Sequence, residues 1–88
     1  RGANREYLMS RKTFVSVLVA YDVFGAIKPL SINWEDGTKF AIAQILEIKR
    51  AASLKVGGNG LRYTIRIENQ ITYLFFDELE KKWFVEEK

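Results

Sequence analysis

Lys39–Val56 reads KFAIAQILEIKRAASLKV, and the fold class turns on this stretch. With a period of two, Phe40 and Ile42 alternate with small or polar neighbours. The phase then slips, so that Ile45, Leu46 and Ile48 follow. One extra residue in a strand shifts side-chain parity in this way, so a bulged strand over Lys39–Lys49 accounts for the pattern. With a helical period, Ile42, Ile45, Leu46 and Lys49 fall at i, i+3, i+4 and i+7, and Gly57 supplies a stop. The alanines favour that helix too. Its stripe ends on a charge, however, and Ile48 falls off it. A strand is the better reading. A helix near residues 39–56, giving an α+β domain, is the alternative.

The flanking segments support β structure. Thr13–Phe24 (TFVSVLVAYDVF) is rich in β-branched and aromatic residues and apolar on both alternating faces, which suits a central strand covered on two sides. Lys28–Trp34 alternates through Leu30, Ile32 and Trp34, with Pro29 near its start, where a strand tolerates proline. Glu35-Asp36-Gly37 is a hairpin turn signal. Leu61–Glu68 has the cleanest pattern: Leu61, Tyr63, Ile65 and Ile67 face one way, and Arg62, Thr64, Arg66 and Glu68 the other. Asn69-Gln70 is a tight turn, with Asn taking the positive φ. Ile71–Phe76 is the next strand, Asp77–Lys81 a charged turn, and Lys82–Glu86 a last short strand. Trp34 and Trp83 are expected in the core at strand ends. About six short strands joined by hairpins would leave two edges bare if flat. The expected fold is therefore all-β, a small curled antiparallel meander or SH3-like barrel.

The composition is that of one globular unit of 88 residues, 48% hydrophobic, 14% aromatic and 28% charged. Residues 1–12 are set apart as a leader. The sole methionine, Met9, stands where a natural start would, so Arg1–Leu8 are left out of fold and charge arguments. Residues 13–88 then form a single small β domain. With no cysteine and no histidine, thiolate chemistry, the commonest general base and the commonest metal ligands are all missing. Glu35 and Asp36 are neighbours in a turn and point apart, and Ser53-x-Lys55 has no partner base. The expectation is a non-enzymatic module with no cofactor and no metal. No apolar run approaches the roughly 20 residues that span a bilayer, so no membrane partner is expected.

Trp34-Glu35-Asp36-Gly37, Arg50–Lys55, Gly58-x-Gly60-x-Arg62-Tyr63-Thr64 and Trp83–Glu86 give the chain a family likeness from about Thr13 to Glu86. It resembles a group of short uncharacterised proteins of Gram-positive bacteria. The resemblance implies a bacterial cytoplasmic domain of unknown function, with no activity or site residue attached.

The charge pattern singles out one segment. The net charge is +3, yet residues 48–67 hold Lys49, Arg50, Lys55, Arg62 and Arg66 with no acid at all. Arg62 and Arg66 share the outer face of one strand, roughly 13 Å apart, and the other three lead into it. Small barrels bind single-stranded nucleic acid with such cations beside aromatic platforms, for which Tyr21, Trp34, Tyr73, Phe76, Trp83 and Phe84 are available. Parity assigns Tyr63 to the core. The competing reading pairs the arginines with Glu47, Glu68 or Glu78 and spends the aromatics on the core. Gly57-Gly58-Asn59-Gly60 lacks the spacing of a phosphate loop and precedes a strand, so it reads as a turn or at most a loose anion nest. Nucleic-acid binding through residues 49–66 is thus expected. The alternative is a protein–protein module that takes a peptide or partner on an exposed strand edge or aromatic groove.

Overall fold

The structure, a computed structural model, describes residues 11–50 and 60–87. They form seven strands: β1 (Arg11–Tyr21), β2 (Ile27–Asn33), β3 (Lys39–Ala41), β4 (Gln44–Arg50), β5 (Gly60–Ile67), β6 (Gln70–Asp77) and β7 (Lys82–Glu87). All neighbours are antiparallel, in the order β3-β2-β1-β7-β6-β5-β4. The domain is all-β, as the alternation implies, and the sheet curls into a half-barrel.

The curl follows from the chain. The strands β3 and β4 stand at opposite ends of the sheet, yet only Ile42 and Ala43 separate them. Laid flat, seven strands would put those ends roughly 29 Å apart, whereas three Cα–Cα steps reach at most about 11 Å. The ends must therefore come together. Ile42 donates its amide to the Leu30 carbonyl of β2 at 2.9 Å, and Ala43 donates to the Arg66 carbonyl of β5 at 2.8 Å. The long β1 does the same on the far side, pairing β7 through Arg11–Val15 and β2 through Ser16–Tyr21.

The stretch that decided the fold is thus not one bulged strand. It breaks at Ile42-Ala43 into two strands, which raises the count from six to seven, and no helix forms over residues 39–50. The phase slip is a bulge: Ile45 opposes Ile65 and Glu47 opposes Thr64, leaving Leu46 between. A second irregularity at Leu18/Val19 leaves Leu30 unpaired in β2, so that Pro29 and Ile32 both reach the interior. Residues 51–56 of the helix alternative, most of the glycine cluster and Arg1–Ser10 of the leader lie outside the described residues. The first strand starts at Arg11, so Arg11 and Lys12 belong to the sheet.

Inside the curl, Ile32, Tyr63, Ile65, Leu74, Phe76 and Trp83 are buried together, flanked by Val15, Val17, Val19, Ile45, Ile67 and Val85. Trp83 packs on Phe76 and Tyr63, with ring centroids at 4.6 and 5.3 Å. Trp34 packs against this cluster but is only half-buried, a weaker core residue than its partner tryptophan. The Tyr63 hydroxyl donates to the Ile27 carbonyl at 3.0 Å, bracing β5 against the start of β2 across the interior. Burial raises the Tyr63 phenol above its ordinary range, and the Glu78 carboxylate adds to that.

Three turns are held by aspartates. Asp22 accepts the Phe24 and Ala26 amides, Asp36 the Thr38 amide, and Asp77 those of Leu79 and Glu80. The glycine each of the first two turns needs is present, Gly25 at φ 86° and Gly37 at φ 92°. The β5–β6 turn sits one residue earlier than the Asn69-Gln70 pair suggests. Glu68, not Asn69, takes the positive φ, at 54°.

Candidate functional site

Alternation along five strands builds a second surface on the convex face of the sheet. The register sets Phe14 opposite Phe84, Phe84 opposite Phe75, Phe75 opposite Arg62, and Arg62 opposite Lys49. A single row therefore runs across β1, β7, β6, β5 and β4, three phenylalanines followed by two cations. Four strand spacings make it roughly 19 Å long.

The middle of the row is closed and its flanks are open. Phe75 and Phe84 stack with centroids 5.1 Å apart and planes 8° from parallel, and both are buried. Phe14 meets Phe84 edge-on at 6.0 Å and keeps 50% of its surface exposed. Tyr73, two residues before Phe75 on the same face, meets it edge-on at 6.5 Å and is 48% exposed. Each open ring carries a cation. The Arg62 guanidinium lies 4.4 Å from the Tyr73 centroid, and the Lys12 and Lys82 ammoniums lie 5.0 and 5.2 Å from that of Phe14. Such contacts hold a positive charge over the face of an aromatic ring.

The five basic residues expected from sequence are not gathered into one groove. Lys49 and Arg62 are neighbours across β4 and β5, and both face Glu47, at 3.8 and 3.9 Å. Arg50 pairs opposite Leu61, on the other parity, and is tied to Glu78, which raises its already high pKa. Arg66 donates to the Gln44 side chain at 3.3 Å and to the Glu68 carbonyl at 3.0 Å. Lys55 lies outside the described residues. All three acidic residues weighed as competing partners are thus engaged, Glu68 through its backbone. Among the described residues, the Arg62 Nε and Thr64 Oγ1 are buried without a hydrogen-bond partner.

Of the aromatics expected as platforms, Tyr73 alone lies on this face with an open ring. Phe76 and Trp83 are core, Phe84 is the closed centre of the row, Trp34 lines the concave side, and Tyr21 stands at the end of the β1 hairpin. Sequence reasoning missed Phe14, Lys12 and Lys82. The signal was the i, i+2 pairs Lys12/Phe14 and Lys82/Phe84 on strands that lie side by side, and it needs the β1–β7 pairing to be seen. On the concave side a groove of about 520 Å³ opens beside the β5–β6 turn, lined by apolar residues, among them Trp34 and Phe40, and by polar ones, among them Gln70 and Glu86. No family model, no curated protein and no solved structure matches this chain.

Proposed function

We propose that the domain is a non-enzymatic binding module that takes single-stranded nucleic acid on the convex face of its sheet. The observation that carries this reading is the pair of half-open rings, Phe14 and Tyr73, each with a cation held over it that a stacking base can displace towards its own phosphate. An unpaired base stacks on an exposed ring whatever its identity, and a neighbouring cation meets the phosphate. The rings stand roughly 12 Å apart by strand spacing and rise, so one strand of nucleic acid reaches both. Phe14 with Lys12 and Lys82 forms one contact point, and Tyr73 with Arg62 and Lys49 the other. Arg62 suits its place because its guanidinium lies over Tyr73 and its Nη2 meets Glu47 only at 3.9 Å, a contact that a phosphate can replace. Arg50 and Arg66, held by Glu78 and Gln44, contribute to the general field only.

Titration of labelled single-stranded DNA and RNA of about twelve nucleotides, at about 50 and about 200 mM salt, tests the reading. About three neutralised phosphates give a log–log salt slope near 2, with similar affinities across sequences. Phe14→Ser with Tyr73→Ser should lower affinity at both salts and leave the slope in place. Absence of binding at the lower salt removes the proposal.

A further inference from the structure

The edge strand β4 carries a charge pattern complementary to itself, and we infer that this edge joins two copies of the chain by antiparallel β4–β4 pairing. The two ends of the sheet are not alike. The strand β3 is three residues long, too short to template much pairing. The strand β4 has seven residues, and among the described residues no strand pairs with its outer side. Its apolar side chains are not put away: Leu46 is 42% and Ile48 50% exposed. Beside Ile48, on the concave side, lies a shallow apolar groove lined by Pro29, Leu30, Ile42 and Ile45. Glu47, Lys49, Arg50 and the bulge at Leu46 blunt this edge against arbitrary strands, so only a partner with matching charges can pair with it.

A pair of identical strands related by a two-fold axis sets one residue opposite itself. Of the seven centres in β4, Gln44 and Arg50 pair a single residue, and Ile45 sets Gln44 against the bulged Leu46. Centring on Leu46 falls on the bulge, where the ladder is interrupted. Centring on Glu47 opposes two carboxylates, and centring on Lys49 opposes two ammoniums, both unfavourable for directly facing residues. Centring on Ile48 places Glu47 of each copy opposite Lys49 of the other on the convex face. The same register sets Ile48 against Ile48 on the concave face, beside the apolar groove. The two faces agree at these three residues, and the bulged Leu46 meets Arg50 where the pairing ends. Within the chain Glu47 holds Lys49 and Arg62 only at 3.8 and 3.9 Å, so its carboxylate has room to exchange a partner.

The contact is short, so the dimer belongs with small, transient interfaces and forms only at high protein concentration. Sedimentation equilibrium of the full chain from about 10 µM to about 1 mM, without nucleic acid, reads it directly. Glu47→Lys and Lys49→Glu should each weaken association about tenfold or more, because each sets like charges opposite. An equimolar mixture of the two variants should recover a heterodimer within about threefold of the parent, since both opposed pairs are then of opposite sign. Circular dichroism confirms that both exposed substitutions leave the sheet intact. A parent that stays monomeric to about 1 mM, single variants that associate as the parent does, or a mixture that stays monomeric would each overturn the proposal. None of these outcomes depends on the nucleic-acid reading, because no oligonucleotide is present.

Discussion

The two faces of the sheet carry similar numbers of aromatic rings and put them to different use. On the concave face Tyr63, Phe76 and Trp83 are buried with aliphatic neighbours from most of the strands, and the Tyr63 hydroxyl is satisfied by the Ile27 carbonyl. On the convex face the stacked Phe75 and Phe84 lie between half-exposed rings and four cations, Lys12, Lys82, Arg62 and Lys49. A core stabilises by removing apolar area from water on all sides. A ring left half in water beside a charge gains little for the fold, and such an arrangement is what a stacking surface requires. The contrast separates what holds this domain together from what it offers to others.

Substitutions that strike one face at a time break that comparison most sharply. Trp83→Ala should be the most damaging, costing about 3–5 kcal/mol in urea or thermal unfolding, a large share of the stability of so small a domain. Phe84→Ala removes the middle ring of the three convex phenylalanines and should cost about 3 kcal/mol, the low end for a buried ring, because its neighbour Phe14 is itself half-exposed. Equal costs would mean that the convex row is a second core and not a surface.

Smaller effects sharpen the same division. Tyr63→Phe deletes the brace to Ile27 and should cost about 1 kcal/mol near neutral pH. Because the folded pKa of Tyr63 lies above its unfolded value, this phenol contributes stability that is lost as pH rises above the ordinary tyrosine range. In the Tyr63→Phe variant the alkaline decline should be correspondingly shallower. At the exposed end of β1 the sign reverses. The Ala26 and Phe24 amides hold the Asp22 carboxylate below its ordinary value, so its stabilisation is present above that value and lost as pH falls. Asp22→Ala should flatten the acid limb of the stability profile slightly. It should also loosen the turn that presents Val23 and Phe24, both almost fully exposed.

Reading the chain without its fold recovered the faces better than the neighbours. The face of β5 could be read directly because its inward residues are all apolar and its outward ones all polar, and Tyr63 and Ile65 lie where that pattern puts them. On β1 and β6 both parities are apolar, so alternation could not say which ring is core; Phe14 and Tyr73 were left open by their strands' positions, not by their own chemistry. The break at Ile42-Ala43 was hidden for another reason. Neither residue is a glycine or proline, and the bend exists only because the two sheet ends meet there. The basic segment was visible as composition, but Arg50 and Arg66 are drawn away by Glu78 and Gln44, partners 28 and 22 residues distant. Local sequence carries no trace of such pairs.

The separation of a closed core from an open convex platform is tested most directly by following side-chain and amide resonances while a short single-stranded oligonucleotide is added at low salt. The largest shifts are expected at the Tyr73 and Phe14 rings and the Arg62 and Lys82 side chains, with the concave groove at Trp34 and the Val23-Phe24 turn unmoved. Shifts that centre on Trp34 and Phe40, or an unchanged spectrum, would contradict the account.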